Sequence, residues 1–179
     1  MKGEIFLIII LVGPSGAGKT AIANEMTEHY GFKKVVTTTT RTPREGEIDG
    51  VSYHFLTTEE FEKKKNNNEF CETAVYAGAQ YGTQKSDLSS APNMVMVMEI
   101  GGALKIHKLF PESKICFVER PKEKIIEAIE ERPISADEKK KRIAQYEKDM
   151  TFSTILKCHI IVHNTKDLTY AVEQITKKI

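Results

Sequence analysis

The feature that most restricts the fold is a junction near the N-terminus. The apolar run IFLIIILV, Ile5 to Val12, leads directly into GPSGAGKT, Gly13 to Thr20. This turn fits G-x-x-x-x-G-K-[ST], with Gly13, Gly18, Lys19 and Thr20 at the fixed positions. Such spacing lets a buried strand deliver the chain to a loop whose backbone N–H groups turn inward around phosphates. Glycines permit positive φ and close approach to the anion. The loop then opens a helix, whose N-terminus favours negative charge. The segment KTAIANEMTEHY supplies that helix, with Ala21, Ile22, Met26 and Tyr30 at helical spacing. The expected phosphate cradle is Gly13, Pro14, Ser15, Gly16, Ala17 and Gly18. Lys19 would reach the β- and γ-phosphates of a nucleotide, and the Thr20 hydroxyl would ligate Mg²⁺.

Lys2 followed by an apolar run and small residues also has the outline of a secretory signal peptide. The run is short for that role, and the would-be cleavage region is the phosphate loop itself. No other apolar run approaches the roughly 18 residues of a membrane span. The 179 residues suffice for one compact α/β core with small insertions. A net charge of +1 gives no electrostatic case for a nucleic-acid or membrane partner. Cys71, Cys116 and Cys158 are widely spaced and form no C-x-x-C pair, which fits reduced thiols and a cytoplasmic setting. No histidine or cysteine spacing fits zinc. The lysine runs Lys63–Lys65 and Lys139–Lys141 read as solvated faces of capped helices, with Thr58 and Ser135 as the expected caps.

Periodicity predicts strands over 4–12, 32–37, 94–98, 114–119 and 158–162. It predicts helices over 19–30, 84–90, 102–109, 121–131, 136–154 and 166–178. Alternation of this kind implies an α/β protein with a parallel sheet covered by helices on both faces. Between about 36 and 84 the pattern changes to short strands, turns and one helix. That block reads as an insertion at the ligand end of the sheet.

The insertion carries TTTTRTPREGEIDGVSYHF, Thr37 to Phe55. Arg41 and Arg44 are held apart by Thr42-Pro43, and their planar forked donors suit phosphate. A guanine-reading N-K-x-D motif of the GTPase kind is not met, because Asn164-Thr165-Lys166-Asp167 has its lysine misplaced. The run from Thr39 to Phe55, NNEFCE at 67–72, YGT at 81–83 and IIVHNTKDL at 160–168 together resemble guanylate kinases along nearly the whole chain.

The resemblance implies a three-layer P-loop kinase fold with a core (1–35, 85–125 and 147–179), a GMP-binding insertion (36–84) and a helical lid (126–146). It implies transfer of the γ-phosphoryl of Mg-ATP to GMP, and to dGMP, by a monomer or homodimer. The GMP phosphate contacts of the family fall on Arg41, Arg44, Tyr53 and Tyr81, with Thr37 at a further contact. Its base contacts fall on Glu72 and Thr83. Base chemistry gives Glu72 an independent reason: one carboxylate accepts both the N1–H and the 2-amino group of guanine, whereas adenine would leave it buried and unpaired.

The chain also departs from the family. The family pattern has two acids after the expected strand over 94–98; here MEIGG, Met98 to Gly102, offers only Glu99, which replaces one or the other. Arg132 and Arg142 match lid arginines that would act in catalysis with Lys19, Arg41 and Arg44. A third lid arginine is replaced by Ala128, and Arg120 is the candidate substitute. Two other readings stay open: a guanylate-kinase-like module that binds without chemistry, and a P-loop kinase with a different small acceptor.

Overall fold

A computed structural model describes residues 7–76, 78–88, 92–155 and 158–179. In chain order the strands are β1 (Leu7–Val12), β2 (Lys33–Lys34), β3 (Thr38–Thr39), β4 (His54–Phe55), β5 (Phe70–Tyr76), β6 (Ala79–Gln84), β7 (Asn93–Val97), β8 (Lys114–Glu119) and β9 (Ile160–His163). The helices are α1 (Lys19–His29), α2 (Thr58–Asn66), α3 (Ile100–Leu109), α4 (Lys122–Glu130), α5 (Ala136–Ile155) and α6 (Leu168–Thr176).

Five strands form one parallel sheet in the order β2-β7-β1-β8-β9. A sheet covered on both faces asks for continuous apolar strands rather than alternation, and central β1 obliges with Ile8 to Val12 fully buried. Its side chains part between the two faces. Ile9 and Leu11 pack with Ile22 and Met26 of α1, Ile125 and Ile129 of α4, and Val172 and Ile175 of α6. Ile8 and Ile10 pack with Ala103 and Ile106 of α3 on the other side. The three layers follow from this division. No described helix is long and apolar enough to cross a membrane.

A second sheet, β4-β3-β6-β5, is mixed: β3 runs parallel to β4, while β6 is antiparallel to both β3 and β5. The strand expected over 32–37 is divided between the two sheets. Val35 still donates to Val95, but the Thr37 carbonyl already accepts from His54 of the smaller sheet. Of the helix expected over 84–90, only a short 3-10 turn forms, Lys85–Leu88; residues 89 and 90 lie outside the described residues, as do residues 4–6 of the first expected strand.

The cap of α2 is Thr57, not Thr58. Thr57 accepts from the Glu60 amide while the Glu60 carboxylate accepts from the Thr57 amide, a reciprocal arrangement that satisfies two otherwise orphaned donors. Thr58 is displaced because its acid sits two residues on rather than three. Ser135 does accept from the Glu138 amide before α5, as expected.

Candidate active site

The phosphate loop is braced from three sides. Gly13 has φ +136°, and a Cβ there would lie 2.5 Å from the Val118 carbonyl of β8, which has no room to yield. Gly18 caps α1 in the left-handed region, against the side chain of Asn164. Asn164, just past β9, donates to the Ala17 carbonyl at 2.8 Å. Arg120, just past β8, donates to the Gly16 carbonyl at 3.0 Å. The role expected of Arg120 therefore needs correcting: its guanidinium supports the loop from behind and does not line the pocket. Lys19 curls back along the loop, donating to the carbonyls of Gly13 at 2.5 Å and Pro14 at 2.9 Å. Burial pushes its ammonium pKa down, and the charges of Glu99 and Asp149 work against that shift.

Facing the loop, the insertion holds its two arginines through one acid that sequence reasoning did not single out. Glu47 accepts from the Arg41 guanidinium at 2.8 Å and from the Arg44 backbone amide at 2.8 Å. Arg41 also lies over the rings of Tyr53 and Phe55, at 5.3 and 5.7 Å from their centroids. Burial disfavours its charge, but the bond to Glu47, the Glu47 charge and the nearby Tyr81 and Tyr53 together hold its pKa above the ordinary value. Arg44 is shifted the other way, by burial first and then by the neighbouring Arg41 and Arg142. Tyr53 and Tyr81 meet edge to face, with ring centroids 6.3 Å apart. Thr37 is buried beside them in the pocket wall.

Pairing of β5 with β6 sets Glu72 opposite Thr83, next to a register shift between Phe70 and Glu72. The Thr83 hydroxyl donates to Glu72 Oε1 at 2.9 Å. Glu72 lines the pocket, whereas Thr83 is fully buried behind it and orients the carboxylate. Burial raises the Glu72 pKa, and the Thr83 bond partly offsets this. Gly102, in the first turn of α3, makes the room. A Cβ there would sit 3.0 Å from Glu72 Oε2.

The segment from α4 to α5 closes the pocket. Arg132 and Arg142 both donate to the Ser15 hydroxyl of the phosphate loop, at 3.2 and 3.0 Å. Arg142 is also paired with Glu138 one turn earlier, at 2.6 Å. Burial lowers the Arg132 pKa, as do the charges of Arg44, Arg142 and Arg41. These cations crowd one another around a cleft shaped to receive anions.

Beside Lys19 stand two acids. Glu99, at the N-cap of α3, has its pKa pushed up to about 7 by burial; Lys19 lowers it and Asp149 raises it. Asp149 of α5 is 6% exposed and was not anticipated from the sequence. It accepts from Gln145 at 3.0 Å and from the Tyr76 hydroxyl of β5 at 3.4 Å.

One pocket thus draws on Ser15, Gly16, Gly18, Lys19, Thr20, Thr37, Arg41, Arg44, Tyr53, Glu72, Tyr81, Glu99, Arg132 and Arg142. Gly13, Pro14 and Ala17 shape the loop without lining it, and Tyr76 joins the wall unforeseen.

Fold and site together define a P-loop protein of three-layer kinase architecture. The family profile for guanylate kinase matches residues 7–179. A guanylate kinase of Clostridium perfringens is 34% identical over 184 aligned positions, covering 97% of this chain and 84% of that protein. One from Clostridium tetani is 40% identical over 119 positions, and one from Bacillus cereus 37% over 127. Those two matches span only 57% and 62% of the relatives' lengths, less than two thirds. The crystal structure of guanylate kinase from Anaplasma phagocytophilum superposes with a TM-score of 0.75 at 21% identity, covering 98% of this chain and 85% of that one, a likeness of fold. The chain belongs to the guanylate kinase family.

Proposed function

We propose that the protein transfers the γ-phosphoryl group of Mg-ATP to GMP, and to dGMP, giving ADP and GDP or dGDP. The observation that carries this reading is the single pocket in which the P-loop, four arginines and the buried Glu72 converge. The family assignment and the named relatives support it. In this reading the core spans 1–35, 85–125 and 147–179, the GMP-binding insertion 36–84 and the lid 126–146.

ATP phosphates lie on the backbone of Gly13 to Gly18, with Lys19 released from the loop carbonyls to meet them. Thr20 lines the same pocket and offers one hydroxyl oxygen. Among the described residues no cluster of three or more metal-binding side chains exists. A hydroxyl with phosphate oxygens completing the set suits Mg²⁺, which keeps few protein ligands. When bound, that ion neutralises phosphate charge.

Arg41 and Arg44, with Tyr53 and Tyr81, hold the acceptor phosphate. Thr37 lies in the same pocket wall, and Glu99 adds its carboxylate to the acceptor's surroundings. Glu72, oriented by Thr83, accepts from guanine. Two anionic substrates repel each other, and the arginine cluster permits their approach. Arg132 and Arg142 stand at the phosphate loop, where charge develops during in-line transfer. The lid excludes water and so protects ATP from hydrolysis. The free cysteines support a cytoplasmic setting.

A coupled phosphotransfer assay with Mg-ATP against GMP, dGMP, AMP, CMP and UMP tests the reading. The expected result is turnover with the two guanine acceptors well above the rest. Turnover with none of them, or with a non-guanine acceptor above GMP, would overturn it.

A further inference from the structure

Asp149 is a buried acid with no part in the chemistry just described. It lies seven residues beyond Arg142 on α5, two helical turns along, so both side chains leave the helix on one face. Arg142 reaches the phosphate loop through Ser15. Asp149 reaches the other wall of the cleft through Tyr76, which comes from β5, 73 residues away in the chain. Burying a carboxylate is costly unless it is bonded and compensated. Gln145 supplies one bond from the same helix; the remaining bond comes from the smaller sheet. Burial raises the Asp149 pKa, with Lys19 and both hydrogen bonds opposing the shift.

We infer that Asp149 is a positioning residue: its bond to the Tyr76 hydroxyl ties α5, and with it Arg142, to the sheet that carries Glu72 and Tyr81. This rests on the proposed function, in which that sheet holds the acceptor and α5 belongs to the closing segment. The tie gives binding at one substrate site a route to the other. An acceptor that settles β5 and β6 fixes Tyr76. Tyr76 then holds α5 in the place where Arg142 meets the phosphate loop. The coupling is reciprocal, so each substrate strengthens binding of the other.

The test uses the full chain and the variants Tyr76→Phe, Asp149→Asn and Asp149→Ala, each checked for folding by thermal unfolding. Two quantities are read: kcat and KM for Mg-ATP and GMP, and the calorimetric affinity for GMP with and without Mg²⁺ and a non-hydrolysable ATP analogue. Tyr76→Phe removes the hydroxyl and keeps the ring. It should lower kcat and the mutual enhancement of binding by about tenfold, the worth of one hydrogen bond to a charged group. Affinity for each ligand alone should stay within about twofold. Asp149→Asn keeps an oxygen that accepts from Tyr76 and should retain most of the coupling, whereas Asp149→Ala should match Tyr76→Phe. If Asp149→Ala fails to fold, Tyr76→Phe and Asp149→Asn decide the matter. Unchanged kcat and coupling in Tyr76→Phe would overturn the inference. So would an Asp149→Asn variant as impaired as Asp149→Ala, since charge beside Lys19 would then be what matters. Wild-type turnover of GMP with indifferent variants removes this tie alone. A wild-type protein that does not phosphorylate GMP removes the proposed function and this inference with it.

Discussion

Glu99 shows how a single side chain records the electrostatics of the pocket. Burial raises its pKa to about 7, from an ordinary value of 4.5. Between those two values the folded protein keeps a proton that the unfolded chain has released. Stability contributed by this group therefore falls as pH rises through that window and levels off above it. The shift corresponds to a loss on the order of 3 kcal/mol across the window. His159, whose pKa burial lowers, acts in the opposite sense within part of the same range, so the comparison must be internal. Urea unfolding of the ligand-free protein at pH 5, 6, 7 and 8 should show wild type losing stability relative to Glu99→Gln. Parallel profiles for the two proteins would mean that Glu99 ionises freely in the fold.

At the scale of elements, the proposed function gives the segment from α4 to α5 the lid's share of the phosphoryl transfer, with Ala128 where the resemblance implies a third arginine. Arg132 and Arg142 converge on one hydroxyl, Ser15, although they enter from either side of the bend before α5. Contacts made chiefly at the transition state show in kcat more than in binding. Arg132→Ala and Arg142→Ala should each lower kcat by about 10²-fold or more, as removal of a phosphoryl-transfer arginine does. KM for GMP and ATP should change by much less. Steady-state kinetics checks both, and an unchanged kcat in both variants would reduce the segment to a cover.

What could be read from the sequence at this scale follows contact range. The strand, glycine loop and start of α1 are contiguous, and their pattern is local. Arg41, Arg44 and Tyr53 lie within one run. The cap falls on Thr57 rather than the expected Thr58 because two threonines adjoin and only the acid three residues on separates them. Glu47 stood in the same run as the arginines, yet one acid bonding both is a matter of loop geometry. Tyr76 and Asp149 meet across 73 residues, and Asn164 meets Ala17 across 147. No local periodicity encodes such meetings. Arg120, the candidate substitute for a lid arginine, is set behind the loop by the way β8 lies beside β1, which no local pattern encodes.

For the whole molecule, residues of two sheets meet at one cleft. The parallel sheet presents the phosphate loop at the end of its central strand, and the smaller sheet presents Glu72 with Thr83 behind it. In the proposed function ATP and acceptor recognition rest on different elements, and a single substitution separates them. Glu72→Gln sets an amide donor against the donors of guanine while leaving the P-loop untouched. The decisive measurement is kcat/KM for GMP in wild type and Glu72→Gln, beside the affinity of each for a non-hydrolysable ATP analogue. GMP efficiency should fall by at least about 10²-fold with analogue affinity unchanged. Equal GMP kinetics in the two proteins would contradict the claim that this pocket reads guanine.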